Sequence, residues 1–124
     1  MWRRLNANPR NRRVGDCVIR AIAVATDRPW AEVYDDLYRL GREEADMMSS
    51  NELWGLYLYR LGFEPFTLPS SCPECVTVAE FADRFPVGRY IIGTGTHAVA
   101  VIDGDYYDTF DSGGLNVSYY FTVT

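Results

Sequence analysis

The apolar residues change their period near Gly88, and this change constrains the fold of the chain more than any other feature. Before Gly88 the apolar residues recur at the three- and four-residue spacing of amphipathic helices. After it they alternate with polar residues, which is typical of β-strands. Helices followed by strands predict an α+β domain, in which N-terminal helices pack on a C-terminal antiparallel sheet.

Cap and turn signals bound the predicted elements. Asp16 is a good N-cap residue for the first helix, and Gly41 is expected to end the second. Thr77 and Glu80 form a capping box that opens the fourth. Asp103-Gly104 is a strong hairpin signal. We predict helices over 16–25, 30–41, 52–62 and 77–85, a loop over 42–50, an extended piece at 63–68, and strands over 89–93, 97–102, 105–110 and 117–123.

Length and composition favour one domain over residues 1–124. The chain has 124 residues, of which 48% are hydrophobic and 15% aromatic, so it can bury a substantial core. We find no apolar run long enough to span a membrane and no signal-peptide pattern, so we expect a cytoplasmic protein. Three cysteines, an odd number, argue against a disulfide framework and fit a reducing compartment.

The charges are divided unevenly along the chain. Residues 1–13 contain five arginines and no acid, whereas the remainder carries 7 basic against 17 acidic residues. Pro9 and three asparagines in this stretch favour an extended arm. An arginine-rich arm can bind nucleic acid, but the acidic remainder would repel a polyanion, so nucleic acid is not the expected partner. The arginines are Arg3, Arg4, Arg10, Arg12 and Arg13.

Cys17 is the candidate nucleophile. Gly15 allows a sharp turn and Asp16 begins the helix, so Cys17 falls at or beside the first helical position. The positive end of a helix dipole favours the thiolate, which is the reactive form. Since free cysteines are often inert core residues, this position alone does not establish reactivity.

His97 is the only histidine, and it begins a predicted strand about 80 residues after Cys17. A histidine can serve as the base that activates a thiol. Alone, it could equally be a hydrogen-bonded residue at a strand edge. Together with an acid on the next strand, however, Cys17 and His97 have the layout of a thiol hydrolase.

The third member is either Asp108 or Asp111. If Asp103-Gly104 forms a two-residue loop, Ile102 pairs with Asp105, and Asp108 lies diagonally beside His97 on the same face. A three-residue loop would instead pair His97 with Asp111. We prefer Asp108, because Asp-Gly favours the two-residue turn, and leave Asp111 as the alternative.

With these residues the sequence resembles the papain-like cysteine peptidase superfamily. Two motifs carry the resemblance, one over residues 11–23 around Cys17 and the other over 95–112 around His97. The chain looks closest to small members such as bacteriocin-processing and cell-wall endopeptidase domains, including phage-encoded relatives. The resemblance implies a papain-like fold and hydrolysis of a peptide, isopeptide or amide bond through a thioester, without a metal or cofactor.

The resemblance also gives Asn11 a role. Papain-like enzymes place a glutamine six residues before the cysteine, where its amide helps to form the oxyanion hole; here that position holds Asn11, one methylene shorter. By this resemblance Asn11 would stabilise the tetrahedral intermediate, a contribution of about 3 kcal/mol where such donors have been removed. Alternatively, Asn11 only caps the turn.

Two alternatives remain open. One concerns the function: the chain could be a catalytically inactive domain of the same fold that binds a partner protein, such as a phage modulator of a host protein. If the chain is an enzyme, its expected partner is a protein or peptide substrate.

The other open question concerns Cys72-Pro-Glu-Cys75, which is only half of a structural zinc site. A reversible disulfide, or a loop without chemistry, fits this pair better than a metal. The oligomeric state is not determined by the sequence.

Overall fold

The computed structural model describes residues 1–69 and 71–123 and has the α+β architecture that the sequence predicts. Over these residues four helices and six strands alternate with short loops. The helices are α1 (Cys17–Thr26), α2 (Trp30–Glu44), α3 (Asn51–Arg60) and α4 (Val78–Arg84). The strands are β1 (Trp2–Arg4), β2 (Glu64–Thr67), β3 (Arg89–Gly93), β4 (Ala98–Ile102), β5 (Asp105–Asp108) and β6 (Tyr119–Thr122).

The six strands form one mixed sheet in the order β1-β5-β4-β3-β6-β2. Neighbouring strands are antiparallel except β1, which pairs parallel with β5. The prediction of an antiparallel sheet was therefore incomplete, and the predicted arm over 1–13 begins as a strand. Three residues are too few for an alternating pattern, but β1 covers the edge of β5, and the Trp2 side chain packs on the core.

Helices cover both faces of the sheet. The first three helices pack on one face, where Ile22, Leu37 and Trp54 are buried. Helix α4 packs on the opposite face, where Phe81 meets alternate residues of the strands, among them Val99 and Val101. Because side chains alternate along a strand, β4 contributes Ala98 and Ala100 to the first core and the two valines to the second. The small alanines let α1 lie close to β4.

Helix α2 continues past Gly41, where the sequence predicted its end. Gly41 is buried inside the helix, and a Cβ there would lie 2.8 Å from the carbonyl oxygen of Asp46. The helix stops instead at Ala45, whose backbone is left-handed with φ 55°. The Gly41 carbonyl accepts from the backbone N–H groups of Ala45 and Asp46. Gly41 is therefore required by close packing rather than by a helix stop.

The hairpin between β4 and β5 has the predicted two-residue loop. Asp103 and Gly104 both have positive φ, at 48° and 85°, and Ile102 pairs with Asp105. The capping box of Thr77 and Glu80 is also confirmed. No helix in the described ranges is long and apolar enough to cross a membrane.

Candidate active site

Cys17 is the first residue of α1, and its side chain is partly exposed. Asp16 occupies the N-cap position, as predicted, but its carboxylate makes no capping hydrogen bond. It turns away to accept from Asn8, Arg20 and Trp30 at 3.1, 2.8 and 3.0 Å. The backbone N–H groups at the start of α1 therefore receive no cap from the Asp16 side chain.

A tight loop positions His97 at the start of β4. The backbone N–H of Thr94 donates to the carbonyl of His97 at 3.0 Å, and Gly95 between them has φ 99°, which favours glycine. The Nε2 atom of His97 lies 2.6 Å from Oδ2 of Asp108. Because Asp108 occupies Nε2, Nδ1 is the ring nitrogen left for the thiol of Cys17. The thiol is hydrogen-bonded to His97 and accepts from the backbone N–H of Ala98. The structure therefore brings Cys17, His97 and Asp108 together.

Asp108, rather than Asp111, contacts His97. Asp108 is 2% exposed, and its Oδ1 accepts from Arg20 at 3.1 Å and from the backbone N–H of Thr109 at 2.8 Å. Asp111 is exposed and accepts from Tyr106 at 2.6 Å and from a backbone N–H at 3.0 Å. The two-residue hairpin loop accounts for this choice, since it sets the register that places Asp108 beside His97.

Arg20 joins the two acids of the site, a role that the sequence analysis missed. Its Nε donates to Asp16 at 2.8 Å and its Nη1 to Asp108 at 3.1 Å. The signal was present in the sequence, because a single arginine interrupts the apolar residues of α1 and must find a buried acid. Asp16 was considered only as a cap, although it lies four residues before Arg20. The Ser112 hydroxyl is also buried beside Asp108, without a hydrogen bond of acceptable geometry in the described residues.

These contacts shift the protonation of all three groups. Burial alone would raise the pKa of the Cys17 thiol, but its hydrogen bonds to His97 and Ala98 bring that pKa below its ordinary value of 9.0. Burial lowers the pKa of His97, whereas Asp108 and Cys17 raise it to about 9. Burial also opposes ionisation of Asp108, but His97 keeps the pKa of that carboxyl below its usual value. The arrangement thus favours a thiolate beside an imidazolium at neutral pH.

Asn11 lies outside this constellation. Its side chain is exposed, its backbone is left-handed with φ 53°, and its Oδ1 accepts from Asn6 at 3.2 Å. Among the residues that the structure describes, it does not line the cleft beside Cys17. The distant Cys72 and Cys75 are joined by a disulfide, one of the alternatives that the sequence left open.

Cys17 and His97 line a cleft of about 630 Å³. Its walls come from the start of α1, the first half of α2, the loop before α3, and the loop before β4. Most of the lining is apolar or aromatic, with Trp30, Tyr34 and Trp54 among it. Trp54 also belongs to the hydrophobic core, since it is 1% exposed.

No protein-family model, curated protein or solved structure matches the chain. The likeness to papain-like peptidases therefore depends on the motif residues themselves.

Proposed function

We propose that the protein is a thiol hydrolase that cleaves a peptide, isopeptide or amide bond through a thioester. One observation carries this proposal: His97 contacts both Cys17 and Asp108 at the wall of an apolar cleft. A base held between a thiol and a carboxylate is the arrangement that nucleophilic acyl transfer requires. The substrate would be a protein or peptide that places a carbonyl carbon beside the sulfur.

In the proposed reaction the Cys17 thiolate attacks the carbonyl carbon and a C–S bond forms. The N–H groups at the start of α1 would stabilise the oxyanion, since they are unpaired and carry the positive end of the helix dipole. His97 protonates the leaving nitrogen as the C–N bond breaks. A water molecule then gives a proton to His97 and attacks the thioester, so that a C–O bond forms, the C–S bond breaks, and the acid is released.

Asp108 would orient the imidazole and stabilise its positive charge. The 2.6 Å contact with Nε2 leaves Nδ1 for the thiol, so the carboxylate also selects which ring nitrogen faces Cys17. The order of elements, a cysteine on the first long helix and a histidine and an acid on later strands, supports a papain-like arrangement of the site. A catalytically inactive binding domain has no need of this arrangement.

The proposal is tested with an activated ester, because no substrate has to be known. On mixing with p-nitrophenyl acetate, the wild-type protein should release a burst of nitrophenolate and gain one acetyl group on Cys17. Cys17→Ala should show neither, and His97→Ala should acylate much more slowly. If intact-mass spectra instead show no acyl group on Cys17 in the folded protein, the domain is not a thiol hydrolase.

A further inference from the structure

An unusual row of aromatic side chains runs along one face of α2. The Trp30 and Tyr34 rings stack with centroids 5.2 Å apart, and the Tyr34 and Tyr38 rings stack at 6.4 Å. The guanidinium of Arg42 lies 6.0 Å from the Tyr38 ring and continues the row. Tyr34 and Tyr38 remain 39% and 51% exposed, so the core does not account for them. We call Trp30, Tyr34 and Tyr38 the α2 row.

The α2 row is continuous with the cleft that holds the thiol. Trp30 and Tyr34 line the same cleft as Cys17, and Tyr38 extends the row beyond it. Met47, which is 72% exposed, also lines this cleft. An exposed apolar strip that leads away from a reactive group is typical of a surface that holds a ligand.

The charges of the cleft indicate which ligand it takes. Cys17 and His97 are paired with each other, and His97 is also paired with Asp108. Apart from this pair and the tyrosine hydroxyls, the one acid or base among the described lining residues is Asp16, whose carboxylate already accepts three hydrogen bonds. An ionic side chain placed there would lose its hydration without gaining a partner. Neutral apolar groups would gain contact with the rings and with Met47. The cleft therefore favours apolar residues on either side of the reacting carbonyl.

The spacing of the α2 row fits an extended polypeptide. Alternate side chains of an extended strand lie about 6.6 Å apart on one face. The 6.4 Å between the Tyr34 and Tyr38 rings matches this repeat, and the 5.2 Å between the Trp30 and Tyr34 rings is somewhat shorter. We infer that the α2 row binds an extended segment of the substrate polypeptide, with apolar or aromatic side chains at alternate positions running from the thiol toward Tyr38. This inference rests on the proposed function, because it assigns the row to the substrate of that reaction.

Binding is measured in the Cys17→Ala protein, in which a bound peptide stays intact. Two peptides are compared by isothermal titration calorimetry: acetyl-Phe-Ala-Phe-Ala-Phe and acetyl-Ser-Ala-Ser-Ala-Ser, each with the same C-terminal Gly-Lys. We expect the phenylalanine peptide to bind at least about tenfold more tightly, since several aromatic contacts add. Tyr34→Ala and Tyr38→Ala should each weaken the binding of the phenylalanine peptide about threefold. The matched control is Tyr59→Ala, an exposed tyrosine on α3 that does not line the cleft.

Three results would overturn the inference. Equal binding of the two peptides, including no binding of either, would show that the row does not select apolar residues. If the Tyr38→Ala protein binds the phenylalanine peptide as tightly as the Tyr59→Ala protein does, the peptide contacts the cleft and does not extend along the row to Tyr38. A chitooligosaccharide that binds through Tyr34 and Tyr38 when the peptide does not would make the row a sugar platform.

The test is separate from the test of hydrolysis. Peptide binding does not need a reactive sulfur. An unreactive Cys17 would therefore contradict the proposed hydrolysis without affecting the binding result. If Cys17 is reactive but the protein does not prefer the phenylalanine peptide, only the inference about the α2 row is contradicted.

Discussion

Nη1 of Arg20 lies 3.1 Å from Oδ1 of Asp108, so the helix that begins with Cys17 is bonded directly to the strand that ends with the acid. The two side chains are 11% and 1% exposed, and Arg20 also binds Asp16. Removing one member of such a buried group leaves an uncompensated charge, which is costly. We regard Arg20 as a positioning residue of the site.

Replacement of Arg20 should affect both stability and the thiol. Arg20→Met leaves two buried carboxylates without their cation and should cost about 3 kcal/mol of unfolding free energy or more. It should also raise the pKa of Cys17, because the positive charge of Arg20 lowers that pKa. Arg20→Lys keeps the charge but cannot donate to both acids as a planar fork. Its unfolding free energy and its Cys17 pKa should therefore lie between those of the wild-type protein and Arg20→Met. Urea denaturation and the pH dependence of Cys17 alkylation measure the two effects.

The exposed Arg10→Met is the matched control for Arg20→Met, and it should change neither quantity. If Arg20→Lys loses stability while the pH midpoint of alkylation stays at the wild-type value, Arg20 supports the fold only.

The single histidine makes the protonation of the site directly observable. We expect the imidazole resonances of His97 to titrate at about pH 9 in the wild-type protein. Asp108→Asn should move this midpoint down toward the ordinary value of 6.5, because it removes the carboxylate that stabilises the imidazolium. Asp111→Asn is the control and should leave the midpoint in place. Proton–carbon NMR spectra across the pH range give the measurement, and the reverse pattern would make Asp111 the third member.

The raised pKa of His97 predicts how stability changes with pH. Since its folded value lies above the unfolded value of 6.5, the stabilisation is fully present below about pH 6.5 and is lost as the pH rises through about 9. The contribution is at most about 3 kcal/mol. It is best measured in Cys17→Ser, because the lowered pKa of the Cys17 thiol acts in the opposite direction. Since Cys17 also helps to raise the pKa of His97, the loss of stability in this variant should occur below pH 9.

In the Cys17→Ser protein, urea denaturation should therefore give a smaller unfolding free energy at high pH than at neutral pH. Adding Asp108→Asn should flatten this dependence. An equal slope with and without Asp108→Asn would contradict the assignment of the shift to that carboxylate.

Gly93 is required for the position of Tyr119 in the cleft wall. A Cβ at Gly93 would lie 2.1 Å from Cζ of the Tyr119 ring. We expect Gly93→Ala to destabilise the protein by about 1–3 kcal/mol, since the ring has to move. Gly114→Ala, where a Cβ would meet nothing within 4 Å, should be nearly neutral. Equal melting temperatures for the two variants would show that the ring moves aside freely.

Local signals predicted much of the fold and of the site. The Asp103-Gly104 turn fixed the hairpin and, through its register, the side of β5 on which Asp108 lies. The start of α1 placed Cys17, because the turn at Gly15 and the apolar run are both short-range features. Such features depend on a few adjacent residues, so they can be recognised without knowledge of the rest of the chain.

Two of the missed features depend on contacts between residues that are distant in sequence. The pairing of β1 with β5 joins residues about one hundred positions apart, and no local sequence pattern predicts it. The hydrogen bond from Arg20 to Asp108 spans 88 positions. Asn11 was assigned by resemblance, but its role depended on a loop conformation that turns its amide toward Asn6.

The most direct test of the account is alkylation of Cys17 by iodoacetamide, followed against pH by mass spectrometry in the wild-type protein and in His97→Ala. Cys72 and Cys75 serve as internal controls, since their disulfide should not react until it is reduced. The account predicts that Cys17 reacts well below about pH 8 and that His97→Ala loses this reactivity. If Cys17 resists alkylation until the protein unfolds, or if His97→Ala reacts with an unchanged pH dependence, the thiol is not activated by His97.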